Sequence, residues 1–386
     1  MRILIVLTYY RPHVSGLTIY AERLARALAE RGHEVTVLTS HYEKDLPYEE
    51  MRDGVHVVRV PVLLRISKGV IMPTFPLIAT RLFIENDVVQ IHLPQFIEAA
   101  WVSLLGRLFK RPTIVTYHCD LIMPLGILSW LANQGILLMN YITALLTHKI
   151  VTYTQDYAEN SSFLRRFIKK LHVILPPVVL PSASEDEKAA FAARHNPRNV
   201  HPVIGMAARF ATEKGVEVLL DALPDIIAAQ PDALVQFAGP WENIVGEEEY
   251  LKRLLPRIKE FEKSGHWEFV GNLSPQQMAA FYPNIDVLTI PSLNSTEAFG
   301  LVQIEAMING KPSVASNLPG VRQPVRMHKM GRVVAIGDSK GLAQAILDTL
   351  KDKAAAPDYV DQIMRQYKPD SIAAEYEKLF NQMKKD

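Results

Sequence analysis

Ile285-Asp286-Val287-Leu288-Thr289-Ile290-Pro291, followed a few residues later by Glu297-Ala298-Phe299-Gly300-Leu301-Val302-Gln303-Ile304-Glu305, is the stretch from which the fold can be read. The run 285–290 is aliphatic and β-branched, has the length of a buried strand and stops at Pro291. Leu301, Ile304 and Ile308 then recur at helical spacing until Gly310 and Pro312 end the run. A strand therefore feeds a polar loop, and the loop turns into a helix near Gly300. This order puts Glu297 in the loop at the mouth of the helix and Glu305 one to two turns inside it. The N–H groups of a helix start attract anions, and Gly300 has no side chain to keep a phosphate away. A carboxylate at such a turn is a poor phosphate ligand and a good partner for sugar hydroxyls. The combination points to a nucleotide-sugar site.

Outward from this stretch, length and composition set the frame. A chain of 386 residues exceeds one ordinary core, so two domains are expected. Hydrophobic content of 48% with 22% charged residues describes a globular protein, and a formal charge of +1 excludes a typical nucleic-acid binder. The charge is uneven: residues 1–180 hold 19 Lys and Arg against 14 Asp and Glu, the remainder 23 against 27. A single cysteine, Cys119, rules out an internal disulfide framework and suits a reducing cytoplasm. The apolar start Met1–Leu7 is too short for a secretory signal and reads as a strand.

The first half opens as a β-α-β unit. Ile3–Leu7 is a continuous apolar run, a helix is marked after Gly16 by Ile19, Leu24, Ala27 and Leu28, and Glu34–Leu38 is the next strand. No G-x-G-x-x-G occurs, so a dinucleotide site is not expected. Further strands are expected at Val55–Val60, Asp87–His92, Thr113–Tyr117 and His172–Leu175. His118, with Asp120 near it, stands at the C-terminal end of a strand, where open α/β sheets place ligand contacts. Between Asp120 and His148 there is no charged residue. Leu121–Thr147 reads either as a pair of buried helices, the commoner outcome, or as an apolar wall at an acceptor mouth. Pro124, Gly126, Asn133, Gln134, Gly135 and Asn140 interrupt it as a membrane span. Two basic stretches, 106–111 and 163–170, form either a solvated face or a contact with anionic lipid. Pro176–Pro181 is a stiff linker, after which Ser182 with Glu185, or Ser184 with Glu187, caps a helix.

The second half repeats the architecture. Pro202–Ala207 is a strand, and Arg209 and Lys214 follow on the loop into a helix that Pro224 bends or interrupts. Two cations at a strand's C-terminal end suit a diphosphate, one as a planar fork and one as a point charge. Strands with glycine turns follow at Leu234–Pro240 and Trp267–Gly271. Ser274 and Gln277 form a capping box, Lys311–Ala315 and Arg332–Ala335 add strands, and Asp338 caps the next helix. The closing helix covers about Asp370 to Met383.

Glu297, Phe299, Gly300, Leu301 and Glu305, with Glu-Ala-Met and Gly-Lys-Pro behind them, resemble the signature of the retaining glycosyltransferases of family 4. The resemblance implies the GT-B architecture: two Rossmann-like parallel-sheet α/β domains facing a cleft, with the C-terminal helix crossing back to the first. The expected domains are an acceptor-side domain 1–180, completed by 370–386, and a nucleotide-sugar-binding domain 181–369. By the same resemblance, Arg209 and Lys214 bind the donor diphosphate, and Gly16, Phe299, Gly300 and Leu301 offer it backbone amides. Glu297 holds a sugar hydroxyl and stabilises the cationic ring, Glu305 takes the ribose hydroxyls, and His118 positions the sugar or the acceptor. The loops after Phe237 and Val270 would hold the base.

The chain departs from the family pattern at Ser15, where Gly is usual before Gly16, and at Gln323, where Glu is frequent. It also lacks Pro-Asn-Gly at the hinge. The sequence has no Asp-x-Asp, so fixed cations and amides are expected to do the work of a metal, with no cofactor. The donor is expected to be UDP- or GDP-linked. The acceptor side admits a glycolipid or lipid-linked sugar, with the protein cytoplasmic and held peripherally on an anionic membrane through its first domain. Rival readings are a GT-B epimerase, a pyridoxal-phosphate phosphorylase and a non-catalytic two-domain sugar-binding protein.

Overall fold

The computed structural model describes residues 1–66, 69–95, 97–120 and 127–385. The chain divides into two compact units, Met1–Pro177 with Tyr367–Asp386, and Val178–Gln366. Strands of the first unit are β1 (Arg2–Val6), β2 (Glu34–His41), β3 (Glu49–Arg52), β4 (Val55–Pro61), β5 (Leu64–Ile66), β6 (Gly69–Ile71), β7 (Val88–Leu93), β8 (Thr113–Tyr117), β9 (Lys149–Thr152) and β10 (Leu171–Val173). Eight of them form one sheet in the order β10-β9-β8-β7-β1-β2-β4-β3, with only β3 antiparallel to its neighbour, while β5 and β6 pair as a separate hairpin. Ile3, Leu4, Ile5, Val89, Ile91, Ile114 and Val115 are fully buried, as both-face coverage of a parallel sheet requires.

In this unit the chain leaves β1 for β2 on one side and later returns to β7 on the other. That reversal is the kind of switch point beside which open sheets bind ligands. The helix Gly16–Glu30 packs Tyr20, Ala21, Leu24 and Leu28 inward. The closing helix, Pro369–Met383, docks onto it: Tyr376 Oη lies 2.7 Å from Tyr20 Oη and 3.0 Å from Thr116 Oγ1. Arg31 adds ion pairs to Asp370 at 2.9 Å and Glu377 at 2.7 Å.

The apolar segment after Asp120 is one helix, Ile127–Leu146, over its described part, where a pair of helices was expected. Asn133, Gln134 and Gly135 do not break it; residues 121–126, Pro124 and Gly126 among them, lie outside the described residues. It packs beside the helix Ile97–Leu108 but leaves Leu137, Leu138 and Leu145 exposed. Among the described residues no helix is long and apolar enough to cross a membrane.

The second unit holds β11 (Val203–Ala207), β12 (Leu234–Ala238), β13 (Trp267–Gly271), β14 (Val287–Ile290), β15 (Ser313–Ser316) and β16 (Gly331–Val334). Their order is β13-β12-β11-β14-β15-β16, parallel throughout, with the switch point between β11 and β14. Phe210, Phe237 and Trp267 anchor the core on one face and Phe281, Tyr282 and Ile285 on the other. Of the two capping registers read after the linker, Ser184 with Glu187 forms, opening the helix Glu185–His195. The helix Val216–Ala229 runs through Pro224. Asp338 accepts from the Gly341 N–H at 2.8 Å and caps Ser339–Thr349.

Candidate active site

The loops leaving β11 and β14 flank the switch point of the second sheet and are tied to each other. Gly215 is left-handed (φ +69°), and its α-carbon faces the Pro291 carbonyl so closely that a side chain has no room. The Leu293 N–H donates to the Glu213 carbonyl at 2.9 Å. On this joined surface Lys214 Nζ donates to Glu297 Oε2 at 2.5 Å, and the other Glu297 oxygen accepts the Gly300 N–H at 3.0 Å. Arg209 Nη2 donates to Glu213 Oε1 at 2.6 Å.

Two cations thus meet two carboxylates. Side-chain exposure is 19% for Lys214 and 20% for Glu297, against 36% for Arg209. Burial by itself would lower the Lys214 pKa, but the charge and hydrogen bond of Glu297 outweigh it, and the net shift is upward. Burial likewise would raise Glu213; its own backbone N–H, Arg209 and Lys214 reverse this, and its carboxyl stays below the usual range. Lys214 is therefore charged, and both cations are held in place by a carboxylate partner.

The helix that follows is shorter than its apolar pattern suggests. It covers Leu301–Met307, with Gly300 as N-cap. Gly300 is required by the backbone: φ is +78°, and an added Cβ would stand 2.7 Å from Ile290 Cδ1. The free space for phosphate inferred from its missing side chain is not what the glycine supplies, and its N–H is engaged by Glu297. Phe299 is 1% exposed, a core ring, so any contact it makes with a ligand is through its backbone. Leu301 is half-buried at the first helical position. Gln303, fully buried, fixes this turn by donating to the carbonyls of Phe299 at 3.0 Å and Val321 at 2.8 Å. Glu305 is buried and accepts the Tyr282 hydroxyl at 2.9 Å.

The expected residues of the first unit lie at its own switch point and beside it. Ser15, where the family has glycine, is the N-cap of the helix Gly16–Glu30 and forms a capping box with Thr18. A Cβ on Gly16 would meet nothing within 4 Å, so that side of the helix start is open. His118 is buried with both ring nitrogens engaged: Nε2 is 2.7 Å from His92 Nδ1, and Nδ1 bonds the Tyr153 hydroxyl. Burial, and then the neighbouring His92, hold His118 well below the ordinary histidine range, and burial takes His92 down to about 3. Asp120 accepts from Tyr117 and Ser161 hydroxyls, each at 2.8 Å, and its N–H donates to Tyr157.

Sequence reading missed Glu213, Gly215, Gln303 and Tyr282 around the second-unit loops, and His92 and Tyr153 around His118. Glu213 was legible as a carboxylate four residues beyond Arg209. His92 carried a fainter signal, a titratable residue inside the mostly apolar strand β7. Among the described residues no three His, Cys, Asp or Glu side chains are grouped as metal ligands.

The family model described as Glycosyl transferases group 1 matches residues 187–367, and that described as Glycosyl transferase 4-like domain matches residues 15–176. The chain belongs to the group 1 glycosyltransferases. It is 26% identical to a phosphatidyl-myo-inositol mannosyltransferase of Mycolicibacterium smegmatis, over 93% of this chain and 87% of that protein. It is also 26% identical to a GDP-mannose-dependent alpha-(1-6)-phosphatidylinositol monomannoside mannosyltransferase of the same organism, over 92% and 90% of the two chains. Among solved structures, Anabaena HepE in complex with UDP-glucose superposes with a TM-score of 0.76 at 18% identity, covering 99% of this chain and 100% of that one. The fold is GT-B, and the protein is a glycosyltransferase. Family membership favours sugar transfer over the epimerase, phosphorylase and binding-protein readings.

Proposed function

We propose that this glycosyltransferase moves a sugar from a nucleoside-diphosphate donor to an acceptor hydroxyl with retention of configuration. The reading rests on one observation: Arg209, Lys214 and Glu297 stand together on the tied loops leaving β11 and β14, at the switch point of the second sheet. Departure of the nucleoside diphosphate builds negative charge on its phosphate oxygens and positive charge on the sugar ring. Arg209 and Lys214 stabilise the first, as preorganised charges that need no rearrangement of solvent. Glu297 stabilises the second.

In the free protein Glu213 and Glu297 hold the two cations in position. The incoming diphosphate replaces them, which leaves the Glu297 carboxylate available to a sugar hydroxyl. Glu305 takes the ribose hydroxyls while keeping Tyr282. His118 positions sugar or acceptor once one ring nitrogen is released. The amides at Gly16, Phe299 and Leu301 supplement the cations, joined by that of Gly300 once Glu297 has turned to the sugar, and the reaction proceeds without a metal.

The named UDP-glucose complex of HepE and the GDP-mannose dependence of one relative support a UDP- or GDP-linked donor. The phosphatidylinositol named for both relatives supports a lipid-linked acceptor reached at a membrane surface. So do the exposed Leu104, Leu108, Phe109, Leu137, Leu138 and Leu145, together with the exposed Arg165, Arg166 and Lys169. Lys170 does not belong to that basic face. It donates to the carbonyls of Ala144, Leu145 and Thr147 at 2.7–2.9 Å and closes the end of the helix Ile127–Leu146.

The test is incubation with radiolabelled UDP- and GDP-sugars and a lipid extract, with the anomeric form of the product read by NMR. Labelled lipid of unchanged anomeric configuration is expected, and Arg209→Met/Lys214→Met abolishes it while leaving the circular dichroism intact. No product from any nucleoside-diphosphate sugar, or an inverted product, refutes the reading.

A further inference from the structure

A cavity of about 970 Å³ lies at the end of the second sheet opposite Arg209 and Lys214. Its walls come from residues that precede the strands: Pro202 before β11, Asp286 before β14, Lys311 before β15 and Lys329 before β16. Lys353 is added from the segment after the helix Ser339–Thr349. β11 alone separates this end from the Arg209 loop by about 17 Å, five residues at roughly 3.3 Å each. The cavity is distinct from the donor loops.

Its charges are unbalanced. Among the described residues, the side-chain ammonium groups of Lys311, Lys329 and Lys353 make no hydrogen bond or ion pair. The two carboxylates in the wall are already engaged. Asp286 is bonded to the His201 ring at 2.8 Å and the Val203 N–H at 2.7 Å, and Asp352 is paired with Arg332 at 3.0 Å. Lys311 is half-buried; burial lowers its pKa, and the charge of Asp286 only partly opposes this. An ammonium group drawn from water with only a partly compensating carboxylate nearby is costly, and an anion arriving in the cavity lowers that cost.

We propose that this cavity binds a small phosphate monoester. Its dianionic head group meets Lys311, Lys329 and Lys353, and its carbon skeleton rests on Met327, Met330 and Leu350. Ammonium groups act on phosphate as point charges and need no planar fit. The volume is at the upper end of the range for small-molecule sites, about 300–1,000 Å³, and far exceeds a bare phosphate. The ester could be a free metabolite or the head group of a lipid. The chemistry is shared, so the experiment separates the two sources.

Calorimetric titration of the full chain uses glucose 6-phosphate, inorganic phosphate, and phosphatidylcholine vesicles with and without phosphatidic acid. Glucose 6-phosphate is expected to bind more tightly than inorganic phosphate. The Lys311→Gln/Lys353→Gln variant weakens it about tenfold or more, and Lys311→Arg retains it. Arg209→Met/Lys214→Met leaves it unchanged, so the outcome does not depend on the donor assignment. Binding only to phosphatidic acid vesicles, lost in the same lysine variant, assigns the site to a lipid head group. The proposal is overturned if neither ester binds. It is also overturned if binding is lost with Arg209 and Lys214, or if a folded Lys311→Gln/Lys353→Gln protein, checked by its melting temperature, binds like the wild type.

Discussion

Glu297→Gln separates the two jobs assigned to one carboxylate. Glutamine keeps the size of the side chain and an oxygen for the Gly300 N–H, but removes the negative charge 2.5 Å from Lys214. At an effective dielectric of about 20 the gross attraction at that distance is about 7 kcal/mol, most of it offset by desolvation. A charged hydrogen bond contributes a net of about 1.5–3 kcal/mol, so the free variant should be less stable by about 2 kcal/mol. For a unit of this size that lowers the melting temperature by roughly 4–8 °C.

A bound nucleoside diphosphate gives Lys214 a new partner, and in the variant it no longer has to displace a carboxylate. UDP or GDP should therefore raise the melting temperature of Glu297→Gln by more than it raises that of the wild type. Turnover should move the other way, with kcat falling about 10²–10³-fold through loss of the charge opposite the cationic sugar. Differential scanning fluorimetry with and without nucleotide, and steady-state kinetics, read the two effects. A smaller nucleotide-induced shift in the variant, or an unchanged kcat, refutes the account of the Lys214–Glu297 pair.

Glu305→Gln, which keeps an acceptor for Tyr282, should raise the donor KM about tenfold or more while changing kcat little, because ribose binding is nearly uniform between ground and transition states. EDTA should leave transfer intact, and a strict requirement for Mg²⁺ or Mn²⁺ in the assay contradicts the metal-free mechanism. Arg165→Gln/Arg166→Gln/Lys169→Gln should reduce sedimentation with anionic liposomes at low salt, and equal binding makes that face merely solvated. Histidines held below their unfolded pKa destabilise the fold as acid is added, since between the two pKa values the unfolded chain binds more protons. With His92 at about 3, urea midpoints should fall from about pH 6.5 downward, and His92→Asn should flatten that limb by up to about 1.4 kcal/mol per pH unit.

The parallel strands were legible because burial on both faces writes them as unbroken apolar runs; β1, β8 and β11 were placed within a residue or two. β3 was not, because Glu49-Glu50-Met51-Arg52 is an exposed edge strand whose pairing comes from β4 alone. The helix after Asp120 was misread as two, since Asn133 and Gln134 look like breakers while a partly exposed helix tolerates them. At the site, Arg209, Lys214 and Glu297 could be named from their places on strand-loop-helix units, but their pairing could not. Lys214 and Glu297 are 83 residues apart, and only the sheet order that sets β14 beside β11 brings them together. For Gly300 and Phe299 the sequence offered a ligand where the structure also has a plain backbone and packing requirement.

The Tyr376 hydroxyl, wedged between Tyr20 and Thr116, carries a lesson for biosynthesis. Residues 367–386 complete the unit that residues 1–177 begin, so that half lacks its closing helix until synthesis has passed the whole of the second unit. The second unit, contiguous in the chain, has its whole sequence synthesised before the first has its last helix, the reverse of the usual amino-to-carboxyl order. A stop codon shortly before residue 367 would spare the later-made half and cripple the earlier one.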